Sequence, residues 1–216
     1  MVHCLFERSN TFRDALRRAG YNAISYDIEK EADIIVDIFR EIVNWQLERS
    51  SIFDKMQENE IVFAFFPCTY FSNQSCLNSR GDSWSMKNWS VLQKTNYAIK
   101  LATKRAAYFI FLNNLIQIAY AKNLKLIVEN PAHDNYLNRY LPRVYEKIAI
   151  RNRAKYGDKF EKPTMFLFFN CAPAFNLLQE NNKKIEKRID KTYGFERSRL
   201  EPEFADFFIQ SFIPRP

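Results

Sequence analysis

Short apolar runs alternate with amphipathic segments in the first part of the chain. Apolar residues fill Val2–Phe6, and a polar turn then leads to Thr11–Ala19, whose apolar positions recur at helical spacing and which ends before Gly20. Glycine commonly follows the last turn of a helix. A second strand is predicted at Asn22–Tyr26 and ends in Asp27. Strand, helix and strand in this order predict a βαβ unit and therefore a parallel sheet.

The remaining chain continues this alternation. Further strands are predicted, in chain order, at Ile34–Ile38, Ile61–Phe65, Leu124–Val128 and Thr164–Phe169. Helical patterns cover residues 39–60, Trp89–Tyr120 as one or two helices, and Pro202–Ile213, which has a proline at its start. The order is typical of an α/β fold with a mostly parallel sheet and helices on both faces.

Several segments lack a clear period. Residues 66–88 are rich in Ser and Asn and are predicted to form one long loop, a length that usually marks a functional segment. Residues 132–147 mix turns with a short helix. The strong charge cluster Glu180–Lys191 indicates a solvated surface or, alternatively, a phosphate contact. No repeat or linker is visible, so we predict one domain over residues 1–216 with a small basic insertion at about 170–195.

The composition is that of a well-packed globular protein. Hydrophobic residues make up 47% of the 216 positions and aromatic residues 16%, whereas four are glycine; disordered chains are poor in aromatic residues. The formal net charge of +7 favours a polyanionic partner, because Lys and Arg release the counterions condensed on phosphates. The alternative is that these charges only solvate the surface.

Cysteine and histidine usage argues against metal chemistry. The cysteines are Cys4, Cys68, Cys76 and Cys171, and the histidines are His3 and His133. Their spacing matches no zinc motif, so we predict no metal site. No apolar run reaches the ~20 residues of a membrane span, and the chain start lacks a signal-peptide pattern. We therefore expect a cytoplasmic protein with reduced thiols.

Two predicted strands end in side chains that can do chemistry. Pro67 and Cys68 follow the run that ends at Phe65, and Glu129 follows the run that ends at Val128. Parallel strands end at one edge of a sheet, so the thiol and the carboxylate suggest one active site. The thiol is a candidate nucleophile and the carboxyl group a candidate proton donor. The alternatives are a cysteine that packs as a small hydrophobe and a capping or ion-paired carboxylate.

Four blocks of the chain, taken in order, resemble the cytosine-5 methyltransferases, and in particular small phage-type relatives that lack a large target-recognition domain. The blocks are Glu7–Leu16 through Gly20 to Asp27, Pro67–Tyr70, Val128–Pro131, and Tyr156–Gly157 with Lys162–Thr164. Arg197–Arg199, followed by Pro202 and Ala205, is similar to the closing segment of that family. Each block alone is weak, but their order over nearly the whole chain is fairly specific.

The resemblance implies a Rossmann-like methyltransferase fold that binds S-adenosylmethionine. Its implied cofactor-binding residues are Phe6, Glu7, Ser9, Asn10, Thr11, Asp27, Asp37 and Pro67. Asp27 would bind the ribose hydroxyls, since a carboxylate at a strand end accepts two hydroxyl donors well, and Asp37 would lie near the adenine. A helix-capping role is the alternative for Asp27. Cys68 would attack cytosine carbon 6, Glu129 would hold the ring nitrogen, and Asn130 would contact the substrate.

The chain departs from the family pattern at Asn10, where the first loop usually carries a glycine. Asn is the non-glycine residue that best tolerates left-handed backbone angles, so we expect the turn to survive. The chain also has only about two dozen residues between Phe169 and Tyr193 in which to read a base sequence. We therefore expect weak sequence specificity from a monomer.

Other residues are candidates for substrate contact. Tyr70, Phe71 and Trp84 follow Cys68 and are candidates to stack on a flipped base, with loop packing as the alternative. Arg151 and Arg153 alternate along the chain, so a strand would direct both to one side, either towards a phosphate or towards solvent.

Three functions therefore stand side by side. The first is methyl transfer to cytosine in DNA. The second is the same chemistry on a free deoxycytidine nucleotide, which the short recognition region favours. The third is a non-catalytic binding protein on a methyltransferase fold, which the missing loop glycine favours.

Overall fold

Seven strands form a single sheet in the computed structural model, which describes residues 1–71, 73–132, 136–176 and 200–215. The strands are β1 (Val2–Leu5), β2 (Ala23–Asp27), β3 (Ile34–Ile35), β4 (Ile61–Ala64), β5 (Lys125–Pro131), β6 (Glu146–Ile150) and β7 (Thr164–Phe169). Their spatial order is β3-β2-β1-β4-β5-β7-β6. Only β7 runs against its neighbours, pairing antiparallel with both β5 and β6. The first five positions follow the 3-2-1-4-5 order of a doubly wound Rossmann-like sheet, which confirms the predicted fold class.

Helices cover both faces of this sheet. They are α1 (Thr11–Arg18), α2 (Ile38–Gln46), α3 (Asn73–Arg80), α4 (Val91–Ala121), α5 (Tyr136–Tyr140) and α6 (Pro202–Phe212). Because successive strand residues point to opposite faces, Cys4 packs with α1 and α6, whereas Leu5 packs with α2 and α4. Two apolar cores result, one on each face, and together they hold the carboxyl ends of the parallel strands at one edge.

Helix α4 is one continuous element of 31 residues, whereas the sequence pattern is compatible with either one helix or two. It begins after Ser90, whose hydroxyl accepts from Gln93 N while Gln93 Oε1 accepts from Ser90 N, at 3.2 and 2.8 Å. This capping box satisfies backbone groups that a helix start otherwise leaves open. The carboxyl-terminal part, which includes Leu112 and Leu115, is buried against the sheet, but the amino-terminal part is largely exposed.

Two predicted boundaries near the third strand are wrong. The strand covers only Ile34–Ile35, because the Asp37 carboxylate accepts from Phe39 N and Arg40 N and starts α2. Residues 39–60 are not one helical segment either, since α2 ends at Gln46 and a separate 3-10 helix covers Ile52–Lys55.

Three further elements were not predicted. Residues 66–88 contain α3 and a 3-10 helix at Trp84–Met86 rather than one loop. Strand β6 lies at the edge of the sheet, where Ile148 pairs with Phe166 of β7.

The predicted basic insertion at about 170–195 lies mostly outside the described residues, as do the cluster Glu180–Lys191 and the closing block Arg197–Arg199. His133 lies outside them too. Among the helices that the structure describes, none has the length and apolar character needed to cross a membrane.

Candidate active site

A cleft of about 260 Å³ opens at the edge where β1, β4 and β5 end. This volume is close to the lower end of small-molecule pockets, at roughly 300 Å³. Its lining is Phe6, Glu7, Arg8, Ser9, Thr11, Phe12, Phe65, Phe66, Pro67, Cys68, Thr69, Glu129, Lys162 and Leu200. The structure therefore brings both predicted catalytic side chains together with five of the predicted cofactor-binding residues.

Cys68 lies just beyond the end of β4, on a segment that is anchored on both sides. The Phe66 ring before it is 1% exposed, and the Phe66 carbonyl accepts from Asn130 Nδ2 at 3.1 Å. After it, Phe71 N donates to the Cys68 carbonyl at 2.9 Å, which closes a tight turn. These contacts fix the backbone that carries the thiol, which is half-buried at the cleft.

Glu129 lies near the end of β5, opposite Phe166 of β7. Its Oε1 accepts a hydrogen bond from the hydroxyl of Thr164, which is fully buried at the start of β7. The Glu129 carboxylate is half-buried and lines the cleft. Strand β7 therefore holds the carboxyl group that the sequence predicts to share a site with the Cys68 thiol.

Asn130 was predicted to contact substrate, but its side chain is 0% exposed. Its amide nitrogen is committed to the Phe66 carbonyl, so it ties the end of β5 to the segment that precedes Cys68. This placement fits a positioning role instead of direct contact.

The loop between β1 and α1 takes an unusual backbone path. Asn10 has φ 55° and ψ 14°, which confirms the expected left-handed turn without glycine. Its Nδ2 also donates to the Glu31 carbonyl at 2.6 Å. Phe6 is left-handed as well, at φ 58°, although an aromatic side chain is disfavoured in that region. Left-handed residues other than glycine cost about 1–3 kcal/mol each and cluster at functional sites.

Glu7 is a buried carboxylate at the start of α1. It accepts hydrogen bonds from Phe12 N and from Arg13 N, the latter at 3.1 Å, so it satisfies amides that a helix start leaves open. Burial raises the pKa of Glu7 to about 7 despite these bonds. Ser9 and Thr11 are joined next to it, since Thr11 Oγ1 donates to Ser9 Oγ at 2.9 Å. One edge of the cleft therefore carries a carboxyl group that titrates near neutral pH.

The two predicted aspartates lie outside the lining of the cleft. Asp27 ends β2, where Oδ1 accepts from Glu29 N at 3.0 Å and burial raises the pKa of the carboxyl group. Asp37 is exposed and caps α2. The strand-end position of Asp27 is as predicted, whereas Asp37 lies after a shorter strand than expected.

The three aromatic residues after Cys68 have different environments. Tyr70 is half-buried and packs edge-on against Tyr108, with ring centroids 4.7 Å apart. Phe71 is 0% exposed, so it is a core residue and does not face a base. Trp84 is 88% exposed and lies beyond the cleft lining.

Arg151 and Arg153 do not share one face of a strand, because β6 ends at Ile150 and Arg153 begins a 3-10 helix. Arg151 is exposed, whereas Arg153 is fully buried and forms an ion pair of 2.9 Å with buried Asp158. Its guanidinium also lies 5.5 Å from the centre of the Phe204 ring. Neither a phosphate contact nor surface exposure fits Arg153.

Several lining residues were not predicted as site residues. Arg8 and Lys162 lie within blocks of family resemblance and add two positive charges to the cleft. Lys162 lies two residues before Thr164, the residue that donates to Glu129. Phe12, Phe65 and Leu200 supply apolar walls, and no sequence signal separates them from ordinary core residues. Within the described residues, no three His, Cys, Asp or Glu side chains are grouped as metal ligands.

Comparisons with known proteins add little to this geometry. No protein-family model matches the chain, and no curated protein matches its sequence. The solved structure of EhMeth, a methyltransferase of Entamoeba histolytica, is similar with a TM-score of 0.40 and 12% identity, over 85% of this chain and 56% of that one. This chain thus spans little more than half of that protein, and the similarity is too slight to establish a family.

Proposed function

We propose that this protein transfers a methyl group from S-adenosylmethionine to carbon 5 of cytosine in DNA, through a covalent adduct with Cys68. The observation that carries the proposal is that Cys68 and Glu129 line one cleft together with the loop after β1. The sequence blocks that contain these residues resemble cytosine-5 methyltransferases in their order. Geometry and motif order therefore support the same chemistry.

The acceptor groups near the cleft suit the methyl donor, which supplies an electrophilic methyl group. Asn10 Oδ1 is buried and has no hydrogen-bond partner among the described residues, so a bound hydroxyl or amino group would satisfy it. The Asp27 carboxylate would accept from the ribose hydroxyls. In this proposal the donor is held by Phe6, Glu7, Ser9, Asn10, Thr11, Asp27, Asp37 and Pro67.

The chemistry of cytosine explains why a thiol and a carboxyl group are needed. Carbon 5 is a poor nucleophile, so the Cys68 thiolate first forms a bond to carbon 6 and moves electron density to carbon 5. Glu129 holds a proton at ring nitrogen 3, which is conjugated with carbon 5 through carbon 4, and stabilises the charge that develops there. Transfer of the methyl group to carbon 5 leaves S-adenosylhomocysteine. Solvent water then takes the proton of carbon 5, the sulfur–carbon bond breaks, and the Cys68 thiolate is regenerated.

Calorimetric titration with S-adenosylmethionine, combined with transfer of a labelled methyl group, tests this function. We expect the donor to bind, and we expect label to be incorporated into duplex or single-stranded DNA that contains cytosine. Uracil in place of cytosine is the matched control substrate and should accept no label.

The outcomes separate the three functions. Label on deoxycytidine monophosphate but not on DNA would move the substrate to the free nucleotide. An absence of binding heat at millimolar donor would contradict methyl transfer and favour a non-catalytic binding protein.

A further inference from the structure

One face of α4 carries a regular row of aromatic, amide and basic side chains. Gln93, Tyr97, Lys100, Lys104 and Tyr108 follow one another at intervals of three or four residues. This spacing places all five on the same side of a helix. We name this row the α4 stripe.

The amino-terminal end of the α4 stripe borders a groove of about 310 Å³, separate from the active-site cleft. The groove is lined by Trp89, Gln93, Asn96, Tyr97 and Lys100. The Trp89 and Tyr97 rings meet edge-on with centroids 5.4 Å apart. Aromatic rings stack on bases, amide groups hydrogen-bond to base edges, and lysine pairs with phosphate, so the groove combines the groups that bind a nucleotide.

The other end of the α4 stripe reaches the segment that carries Cys68. The Tyr108 ring packs edge-on against Tyr70, and Lys104 Nζ lies 5.6 Å from the centre of the Tyr70 ring. Tyr70 is two residues after Cys68. From Tyr97 to Tyr108 the helix rises about 16 Å, at ~1.5 Å per residue. That length matches roughly five stacked nucleotides at ~3.4 Å each.

The chain segment that contains the α4 stripe has a strong positive charge. Residues 61–128 contain eight basic residues and one acidic residue, Asp82, which gives a net +7 and equals the formal charge of the whole chain. Arg80, Lys87, Lys100 and Lys104 are exposed. Within the described residues, none of these four side chains forms an ion pair with a carboxylate. The exposed Trp84 lies on the same part of the chain.

We propose that the α4 stripe is a docking surface for a single-stranded stretch of nucleic acid that leads to the Cys68 cleft. A base stacks on the aromatic side chains that line the groove, Trp89 and Tyr97, and Lys100 and Lys104 contact the phosphates that follow. Docking itself is independent of the reaction, but the delivery of a cytosine to Cys68 rests on the proposed function. The surface favours a polymer over a free nucleotide as substrate, because a mononucleotide cannot bind both the groove and the cleft.

Charge also argues against a second copy of the chain as the occupant. A symmetric dimer through this face would place the same patch of each copy against the other. Lys100 and Lys104 would then meet basic residues of the same kind, and like charges placed opposite each other are unfavourable. A polyanion instead neutralises them and releases counterions.

Fluorescence anisotropy with a labelled single-stranded oligodeoxynucleotide tests the docking surface. The charge-reversal variant Lys100→Glu/Lys104→Glu should weaken binding at least tenfold. Its slope of log affinity against log salt should fall by about 1.4, the value for two lost phosphate contacts on a single strand. The control Lys55→Glu/Lys147→Glu makes the same charge change at exposed positions outside α4 and should change affinity less than threefold.

A second variant separates the groove from general charge. Tyr97→Ala removes a ring without changing the charge, so it should weaken binding roughly tenfold while it leaves the salt slope unchanged. Circular dichroism and thermal melting verify that each variant is folded. Equal losses in the α4 and control variants would overturn the docking surface, as would a wild-type protein that binds neither single-stranded nor duplex oligonucleotides. Tighter binding of the duplex than of the single strand would overturn the assignment to a single strand.

Methyl-transfer assays distinguish failure of this inference from failure of the proposed function. Lys100→Glu/Lys104→Glu should raise the KM for an oligonucleotide at least tenfold, whereas the control Lys55→Glu/Lys147→Glu should change that KM less than threefold. Oligonucleotide binding that depends on the α4 stripe, without methyl transfer to any cytosine substrate, would retain the docking surface and contradict the proposed function. Methyl transfer to DNA with an unchanged KM in Lys100→Glu/Lys104→Glu would retain the proposed function and contradict the docking surface.

Discussion

The amino-terminal region (residues 1–60) and the basic region (residues 61–128) differ in charge and in how their polar groups are held. The amino-terminal region has twelve acidic and eight basic residues, and the basic region has one acidic and eight basic residues. Glu7 and Asn10 in the first region are buried and committed to backbone contacts. Lys100 and Lys104 in the second are exposed.

This difference matches the two ligands of the proposed reaction. The methyl donor carries a sulfonium cation, which suits a region with excess carboxylates, whereas a nucleic acid is a polyanion and suits the basic region. A buried, hydrogen-bonded loop also binds a small molecule with little loss of conformational entropy. The exposed lysine side chains of a helix can instead change rotamer to follow the variable path of a nucleic-acid strand.

Cys68 belongs to the basic region and lines the cleft together with the loop after β1 of the amino-terminal region. Its replacement therefore separates the binding of donor and nucleic acid from the methyl-transfer reaction. Cys68→Ala should reduce methyl transfer by roughly 10⁴-fold or more, since the adduct cannot form. Donor binding by calorimetry and oligonucleotide binding by anisotropy should stay within a factor of about three. Cys171→Ala, at a half-buried thiol far along the chain, is the matched control and should remain active. A Cys68→Ala protein with wild-type turnover would rule out the covalent mechanism.

In the proposed reaction, Glu129 acts from outside both regions. Glu129→Gln keeps an oxygen that can accept from Thr164 but removes the acid, so kcat should fall by roughly 10²–10⁴-fold. The variant should still bind donor and DNA. Glu146→Gln, at an exposed position of β6, is the control and should leave kcat unchanged. A loss confined to KM would mean that Glu129 binds the substrate without assisting the reaction.

The positions of Cys68 and Glu129 were predictable because they depend on local patterns. Each follows an apolar run of strand length, and parallel strands end at one edge of the sheet. The left-handed turn at Asn10 was predictable for a similar reason, since the preference of Asn for such angles is intrinsic to the residue. These features required no knowledge of distant contacts.

The missed features depend on residues that are distant in sequence. Arg153 is buried because Phe204, 51 residues later, packs near its guanidinium, which also forms an ion pair with the nearby Asp158. Strand β6 has a weak apolar pattern and is defined by its pairing with β7. Asn130 points to the Phe66 carbonyl, 64 residues earlier, instead of to the cleft. Sequence patterns do not report such partners, so residue type suggested surface or substrate roles for Arg153 and Asn130.

The buried carboxyl group of Glu7 makes the amino-terminal region sensitive to pH. Burial raises its pKa from 4.5 to about 7, so the folded protein retains a proton that the unfolded chain releases between these values. The resulting stabilisation is complete below pH 4.5 and is lost as the pH rises through 7. It amounts to about 3 kcal/mol at most.

Urea denaturation at pH 5 and pH 7.5 measures this effect. The free energy of unfolding of the wild type should fall between these values, and Glu7→Gln should remove most of that fall. His3, whose pKa burial lowers, acts in the opposite direction but is common to both proteins and cancels in the difference. Glu58→Gln, at an exposed carboxylate, should behave like wild type. Identical pH dependence in wild type and Glu7→Gln would show that Glu7 does not titrate in this range.

Substitutions at Asn10 give the smallest expected change in the free energy of unfolding. They test whether the loop between β1 and α1 is stabilised by the left-handed backbone of Asn10 or by its side chain. Asn10→Ala loses the bond to the Glu31 carbonyl and places a Cβ-bearing residue with no local polar group at φ 55°. The two losses together should lower the free energy of unfolding by about 2 kcal/mol. Asn10→Gly keeps the backbone angle accessible and should lose only about 1 kcal/mol.

Asn59 supplies the matched control for this pair, because it is also left-handed, at φ 64°, but is exposed at a turn before β4. Asn59→Ala isolates the backbone cost, so it should destabilise by about 1 kcal/mol, and Asn59→Gly should be nearly neutral. If Asn10→Gly also weakens donor binding while Asn59→Gly does not, the Asn10 side chain contributes to the donor site. Equal donor affinities in both glycine variants would instead assign Asn10 to the turn alone, and the amino-terminal region would hold its ligand through Asp27 and the remaining loop residues.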